Sequence, residues 1–107
     1  MVSVNDLEYI RKIDGVLHEP SRLSIVFALR NRGALSFGEL KSLLGMTDGN
    51  LSIHLSTLER NRYITTTRTL NAGKPRKLCR LSGDGQVAFE RYLQVLDRLV
   101  RAAQAKT

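Results

Sequence analysis

The chain has 107 residues, 42% of them hydrophobic, with a formal charge of +7 and a pI near 10.2. That length suits one domain with a modest core, and no apolar run is long enough for a membrane span or a signal peptide. A lone cysteine, Cys79, excludes an internal disulfide framework and suits a reducing compartment, so a cytoplasmic protein is expected.

Residues 1–17 read as an N-terminal helix, with Leu7, Ile10, Ile13 or Asp14, and Leu17 on one stripe and Asn5 or Ser3 as its cap. Gly15 weakens its last turn. Glu19-Pro20 opens a second helix, on which Leu23, Val26, Phe27 and Arg30 share a face and which Gly33 ends. Ala34-Leu35 is long enough only for an edge strand.

Residues 36–61 hold two helix starts and a clean stop. Ser36 and Glu39 form an S-x-x-E capping box, flanked by Leu35 and Leu40 at hydrophobic-staple positions. Gly45 sits where a helix end needs left-handed backbone, and Thr47 can cap the helix that follows. That helix buries Leu51, Leu55 and Leu58 at i, i+4, i+7 spacing. Its opposite face carries Gly49, Asn50, Ile53, Ser56, Thr57 and Arg60, with Ser52 and His54 on the flanks. An ordinary solvated face would be laced with Glu and Lys. Small neutral hydrogen-bonding groups instead let a helix lie deep in a DNA major groove and reach base edges. Two helices joined by a tight glycine turn make a helix-turn-helix whose second helix reads, although a plain packing hairpin has the same spacing.

Residues 63–81 follow as a hairpin: a β-branched run from Tyr63 to Leu70, a turn at Asn71-Ala72-Gly73-Lys74-Pro75, and a return strand from Arg76 to Leu81. Residues 46–81 carry seven Lys/Arg against two Asp/Glu, whereas the segments before and after are each close to neutral at +1. A charge excess confined to the reading helix and hairpin is the footprint of a polyanion face. Placed after a helix-turn-helix, the hairpin is a wing. Arg60, Arg68, Lys74, Arg76 and Lys77 are the candidate wing and backbone contacts, to phosphates or a minor groove. A basic surface hairpin without a ligand is the plainer alternative.

Ser82 caps a last helix over residues 82–105. Its apolar residues Phe89, Tyr92, Leu93, Leu96, Leu99 and Val100 keep 3-4 spacing for over two heptads. So long a stripe suits the same helix of a second chain, joined by Leu7 and Ile10 of the first helix; packing onto its own domain is the alternative. The fold class expected is mainly α with a small β-hairpin, a winged helix-turn-helix with terminal dimerisation helices.

At this point the chain resembles the winged-helix transcriptional regulators of the MarR/ArsR-like group, in their small single-domain form. The resemblance rests on L-H-E-P-S-R-L-S-I at 17–25, on F-G-E-L-K-S-L-L-G-M-T-D-G-N-L-S-I-H-L-S-T-L-E at 37–59, on G-K-P-R at 73–76 and on L-S-G-D-G at 81–85. It implies a homodimeric, sequence-specific binder of double-stranded DNA. Groove contacts would come from Thr47, Asp48, Gly49 and Asn50 and from Ser52, Ile53 and His54, and wing contacts from Lys74 and Arg76. Two positions depart from the family pattern. Arg62 stands where glycine is common, so the turn relies on Asn61 or carries strain, and Ile53 replaces a residue that is often polar. An isoleucine there suits a thymine methyl or weakens base readout.

One cysteine and two distant histidines, His18 and His54, cannot assemble a four-ligand zinc site, and no cofactor motif is present. Cys79 reads as a small buried hydrophobe, with a redox-sensing thiol beside Arg80 as the lesser reading. No paired carboxylates, nucleophile with a base, or phosphate-cradling loop appears, which argues against an enzyme. The expectation is a regulator, most simply a repressor, on a pseudo-palindromic operator, with room for an unidentified small-molecule effector. The alternatives are a sequence-blind, chromatin-like binder and a winged-helix protein-interaction module.

Overall fold

The computed structural model describes residues 3–105; residues 1–2 of the expected first helix lie outside it. Five helices and three strands run α1 Val4–Ile10, α2 Pro20–Arg32, β1 Leu35–Ser36, α3 Phe37–Leu44, α4 Asp48–Arg60, β2 Ile64–Asn71, β3 Lys74–Leu81 and α5 Gly83–Gln104. The strands form one antiparallel sheet in the order β1-β3-β2. This is a winged helix. No helix among the described residues is long and apolar enough to cross a membrane.

Most helix starts are where the side chains call for them. Ser3 and Asp6 make a reciprocal capping box on α1, and Ser36 and Glu39 repeat it on α3. Glu19 caps α2 by accepting from the Ser21 and Arg22 amides, with Pro20 in the first turn. Thr47 and Ser82 cap α4 and α5.

Two helices differ from the sequence reading. The first ends at Ile10, not at residue 17, because the Asp14 carboxylate accepts from the Val16 and Leu17 amides at 2.9 and 3.2 Å and turns the chain before Gly15 can continue a helix. The turn delivers Leu17 to the core, fully buried. On α2 the buried residues are Ile25, Val26, Ala28 and Leu29, while Phe27 and Arg30 face outward. Arg22 disguised this stripe. It lies in line with Ile25, Val26 and Leu29, runs its stem inward and donates from Nε to the Val16 carbonyl at 2.6 Å.

The core gathers Leu17 and α2 against Leu40, the Leu51, Leu55 and Leu58 stripe, Ile64, Cys79 and the first half of α5. Here the structure corrects the expected role of two residues. Phe89 and Tyr92 are buried within their own chain: Phe89 packs edge-on to Phe27 at 6.3 Å, and Tyr92 shares a 2.8 Å hydrogen bond with His18 Nδ1. The other expected interface residues stay accessible. Leu7, Ile10, Leu93 and Val100 are exposed and Leu96 and Leu99 half-buried, and Val4, not anticipated, is exposed beside them. Past Val95 no residue of α5 is fully buried. There α1 lies along it, with Asp6 3.4 Å from Arg98 Nε and the Arg98 guanidinium 3.8 Å from the Tyr9 ring centre. The radius of gyration, 16.6 Å, exceeds the roughly 13 Å of a compact domain this size.

The hairpin turn is tighter than expected. Ala72 and Gly73, both at positive φ (52° and 78°), make a two-residue turn, so Lys74 and Pro75 already belong to β3. Pro75 is tolerated because β1 pairs only with Cys79 and Leu78, leaving that part of β3 with one neighbour. Where α4 gives way to β2, Arg62 takes the left-handed conformation at φ 64°, so the strain falls on Arg62 itself and not on Asn61.

The wing base and α5 meet in one tight joint. The Ser82 amide donates to the Tyr63 carbonyl at 3.0 Å, and its hydroxyl donates to the Arg62 carbonyl at 2.6 Å. A Cβ on Gly85 would come within 2.1 Å of the same Tyr63 oxygen. Gly85→Ala is therefore expected to cost about 3 kcal/mol, the upper end of overpacking. Gly83→Ala, with nothing within 4 Å, serves as the control and should change little. Urea midpoints at fixed protein concentration decide this, and equal midpoints for the two variants would refute the joint.

Candidate nucleic-acid interface

The outward face of α4 follows from what its leucines bury. With Leu51, Leu55 and Leu58 inside, Gly49, Asn50, Ser52, Ile53, Ser56 and Arg60 are exposed, Ile53 at 64%. Thr47 Oγ1 accepts from the Asn50 amide at 3.2 Å, which leaves the Asn50 side-chain amide facing solvent at the helix start. Thr57 is half-buried; its hydroxyl donates to the Ile53 carbonyl at 3.2 Å and accepts from Arg60 Nη2 at 3.1 Å. Asp48, in the first turn where a carboxylate suits the helix dipole, pairs with Lys41 at 2.8 Å across the tight turn that Gly45 makes at φ 65°.

One expected groove residue turns the other way. His54 Nδ1 lies 3.6 Å from Glu19 Oε2 and 3.4 Å from Arg22 Nη1, so this half-buried ring ties α4 to the start of α2. It is placed for packing, not for reaching a base.

The wing's cations divide between its two faces. By strand register, Lys74, Arg76 and Arg80 project to one side, and Arg68 and Lys77, opposite one another, to the other. Lys74, Arg68 and Arg80 are exposed. Arg80 is not among the contact candidates of the sequence analysis, although strand alternation places it on the same side as Lys74 and Arg76. Two expected contacts are already engaged: Arg76 pairs with Glu39 of α3, and Lys77 Nζ lies 3.8 Å from Glu59 of α4. Glu59 also accepts from the Thr66 hydroxyl at 3.1 Å. Backbone and side-chain donation from Ser36, then the Arg76 contact, hold the Glu39 carboxyl below the usual range despite some desolvation. Burial pushes the Cys79 thiol up, with a smaller opposing pull from Lys77 and a push from Glu59, which keeps it a protonated core group.

A family model described as a winged helix DNA-binding domain matches residues 21–100. An uncharacterised protein of Methanocaldococcus jannaschii is 32% identical over 72 residues, covering 67% of this chain and 78% of that protein. Among solved structures, a transcriptional regulator homologue from Pyrococcus horikoshii OT3 superposes with a TM-score of 0.84 at 28% identity, over 91% of this chain and 98% of its own. MarR of E. coli, at 18% identity, shares the fold with a TM-score of 0.68 over 100% of this chain and 87% of its own.

The foot of the wing carries a titratable marker. Burial, then the hydrogen bond to Asp14 and that carboxylate's charge, push the Tyr63 phenol up to about 12. An unfolded tyrosine ionises near 10, so stability should fall as pH rises from about 10 towards 12, the unfolded chain releasing its proton first. Burial and the Asp14 charge push the Tyr92 phenol up as well. Absorbance titration should therefore show two late phenols, one of which disappears in Tyr63→Phe, and Asp14→Asn should move the late phase part of the way back. A late phase of undiminished amplitude in Tyr63→Phe would contradict the assignment.

Proposed function

Because the chain belongs to the winged helix DNA-binding family, we propose that it is a sequence-specific regulator of transcription that binds double-stranded DNA as a homodimer. The observation that carries this reading is the outward face of α4: small, neutral, hydrogen-bonding and capped at the end that would meet the bases, with the chain's excess of positive charge just behind it. Asn50 would read a base edge, Ser52 and Ser56 would support it, and Ile53 would meet a thymine methyl. Thr47 and Gly49 let the helix start come close to the backbone, and Arg60, Arg68 and Lys74 are placed for phosphates. The solved Pyrococcus relative is itself called a transcriptional regulator homologue.

Pairing through α1 and α5 is supported by the exposed apolar residues Val4, Leu7, Ile10, Leu93 and Val100, which would otherwise stand in water. Two reading helices related by a twofold axis then require a pseudo-palindromic operator, and occupancy of a promoter would most simply repress it. A small-molecule effector between the paired domains is compatible with this arrangement. The expected setting is the cytoplasm.

Selection of bound duplexes from a random pool, followed by sequencing, should enrich an inverted repeat with half-sites about one helical turn apart. Binding without enrichment would favour a sequence-blind binder, and no binding would remove the function while leaving the fold. On the selected site, Asn50→Ala should cost roughly 1–3 kcal/mol and relax preference at one position, whereas Lys74→Ala should weaken all sequences evenly and lower the salt slope by about one. Equal sequence-blind losses would contradict these roles. Leu7→Glu with Val100→Glu should convert a dimer to a monomer in sedimentation; a monomeric wild type, or a variant that still pairs, would refute the proposed interface.

A further inference from the structure

Arg76 and Lys77 are neighbours on β3 and project to opposite faces of the wing. Each meets a carboxylate from a different helix of the helix-turn-helix. Arg76 reaches Glu39 in the first turn of α3, and Lys77 reaches Glu59 in the last turn of α4, 3.8 Å away. Both carboxylates are fixed by a second bond: Glu39 Oε1 accepts from the Ser36 amide at 3.1 Å, and Glu59 Oε2 accepts from the Thr66 hydroxyl at 3.1 Å. All four side chains are between a third and a half exposed. Ion pairs so exposed contribute little to stability. They do decide what two of the wing's cations can touch.

We propose that Glu39 and Glu59 are positioning residues that brace the wing on both faces and withhold Arg76 and Lys77 from DNA phosphates, restraining sequence-blind binding. The inference rests on the DNA-binding reading above. Arbitrary duplex offers the wing only phosphates, and each phosphate neutralised adds about 0.9 to the slope of log affinity against log salt. With the two pairs intact, Arg68, Lys74 and Arg80 are the wing cations left for that purpose. Without them, two more become available.

Glutamine keeps one accepting oxygen at each position, enough for the Ser36 amide of the capping box and for the Thr66 hydroxyl, and removes the charge. The Glu39→Gln/Glu59→Gln variant should melt close to wild type and bind a mixed-sequence duplex about tenfold more tightly near physiological salt, with a slope steeper by close to two. Loss of negative charge would tighten binding wherever it occurred, so the decisive comparison is conditional. Arg76→Gln should leave the slope unchanged beside Glu39 but lower it by about one beside Gln at that position. A slope that drops equally in both backgrounds overturns the proposal, as does a double variant with an unchanged slope. If the wild type binds no duplex, the DNA-binding reading fails and takes this inference with it. Wild-type binding with unresponsive variants removes this inference alone.

Discussion

Everything on the outward face of α4 depends on the burial of Leu51, Leu55 and Leu58. A helix has one rotational setting once three leucines at i, i+4 and i+7 are fixed in a core, and each fully buried leucine favours that setting by roughly 1.5–3 kcal/mol. Turning the helix by one position would expose a leucine and bury Ser52 or Ser56 without a partner, and both changes are unfavourable. The polar residues of α4 are therefore aimed by apolar contacts on the opposite side. His54, on the flank, falls just inside the boundary and goes to Glu19 and Arg22.

That boundary also explains what was legible in the sequence. The caps at Ser36, Thr47 and Ser82, the left-handed Gly45, the leucine stripe and the hairpin all stand on short-range rules of backbone satisfaction and periodicity, which a linear reading captures. The end of α1 was hidden because an aspartate can sit in a helix or bend the chain with its own carboxylate, and only the destination of Leu17 decides which. The inward stripe of α2 was hidden by Arg22, a charged residue that buries its stem.

Charge was the least legible quantity. Counting Lys and Arg located the basic third of the chain but not which cations were already held. Glu39 lies far from Arg76 in sequence and had a complete local explanation in its capping box; nothing in the sequence joined it to the wing. The terminal stripe reads as one set in the sequence and is two: Phe89 and Tyr92 close the chain's own core, and Leu93 and Val100 remain on its surface. A 3-4 spacing marks an apolar side of a helix without saying whether the surface that covers it belongs to the same chain.

The joint of Ser82 and Gly85 with the Arg62 and Tyr63 carbonyls gives α5 a mechanical character. It is a stiff rod of 22 residues, about 33 Å long, clamped at one end to the residues between α4 and the wing. A clamped rod acts as a crank: tilting its free end by about 10° sweeps that end through about 6 Å, and an equal angle is delivered at the clamp, there being no glycine hinge along the way. The glycines of this helix, Gly83 and Gly85, lie at the clamp itself, where close fit and not compliance accounts for Gly85. In the proposed dimer, the distance between two wings on DNA would be governed by the angle at which two such cranks cross.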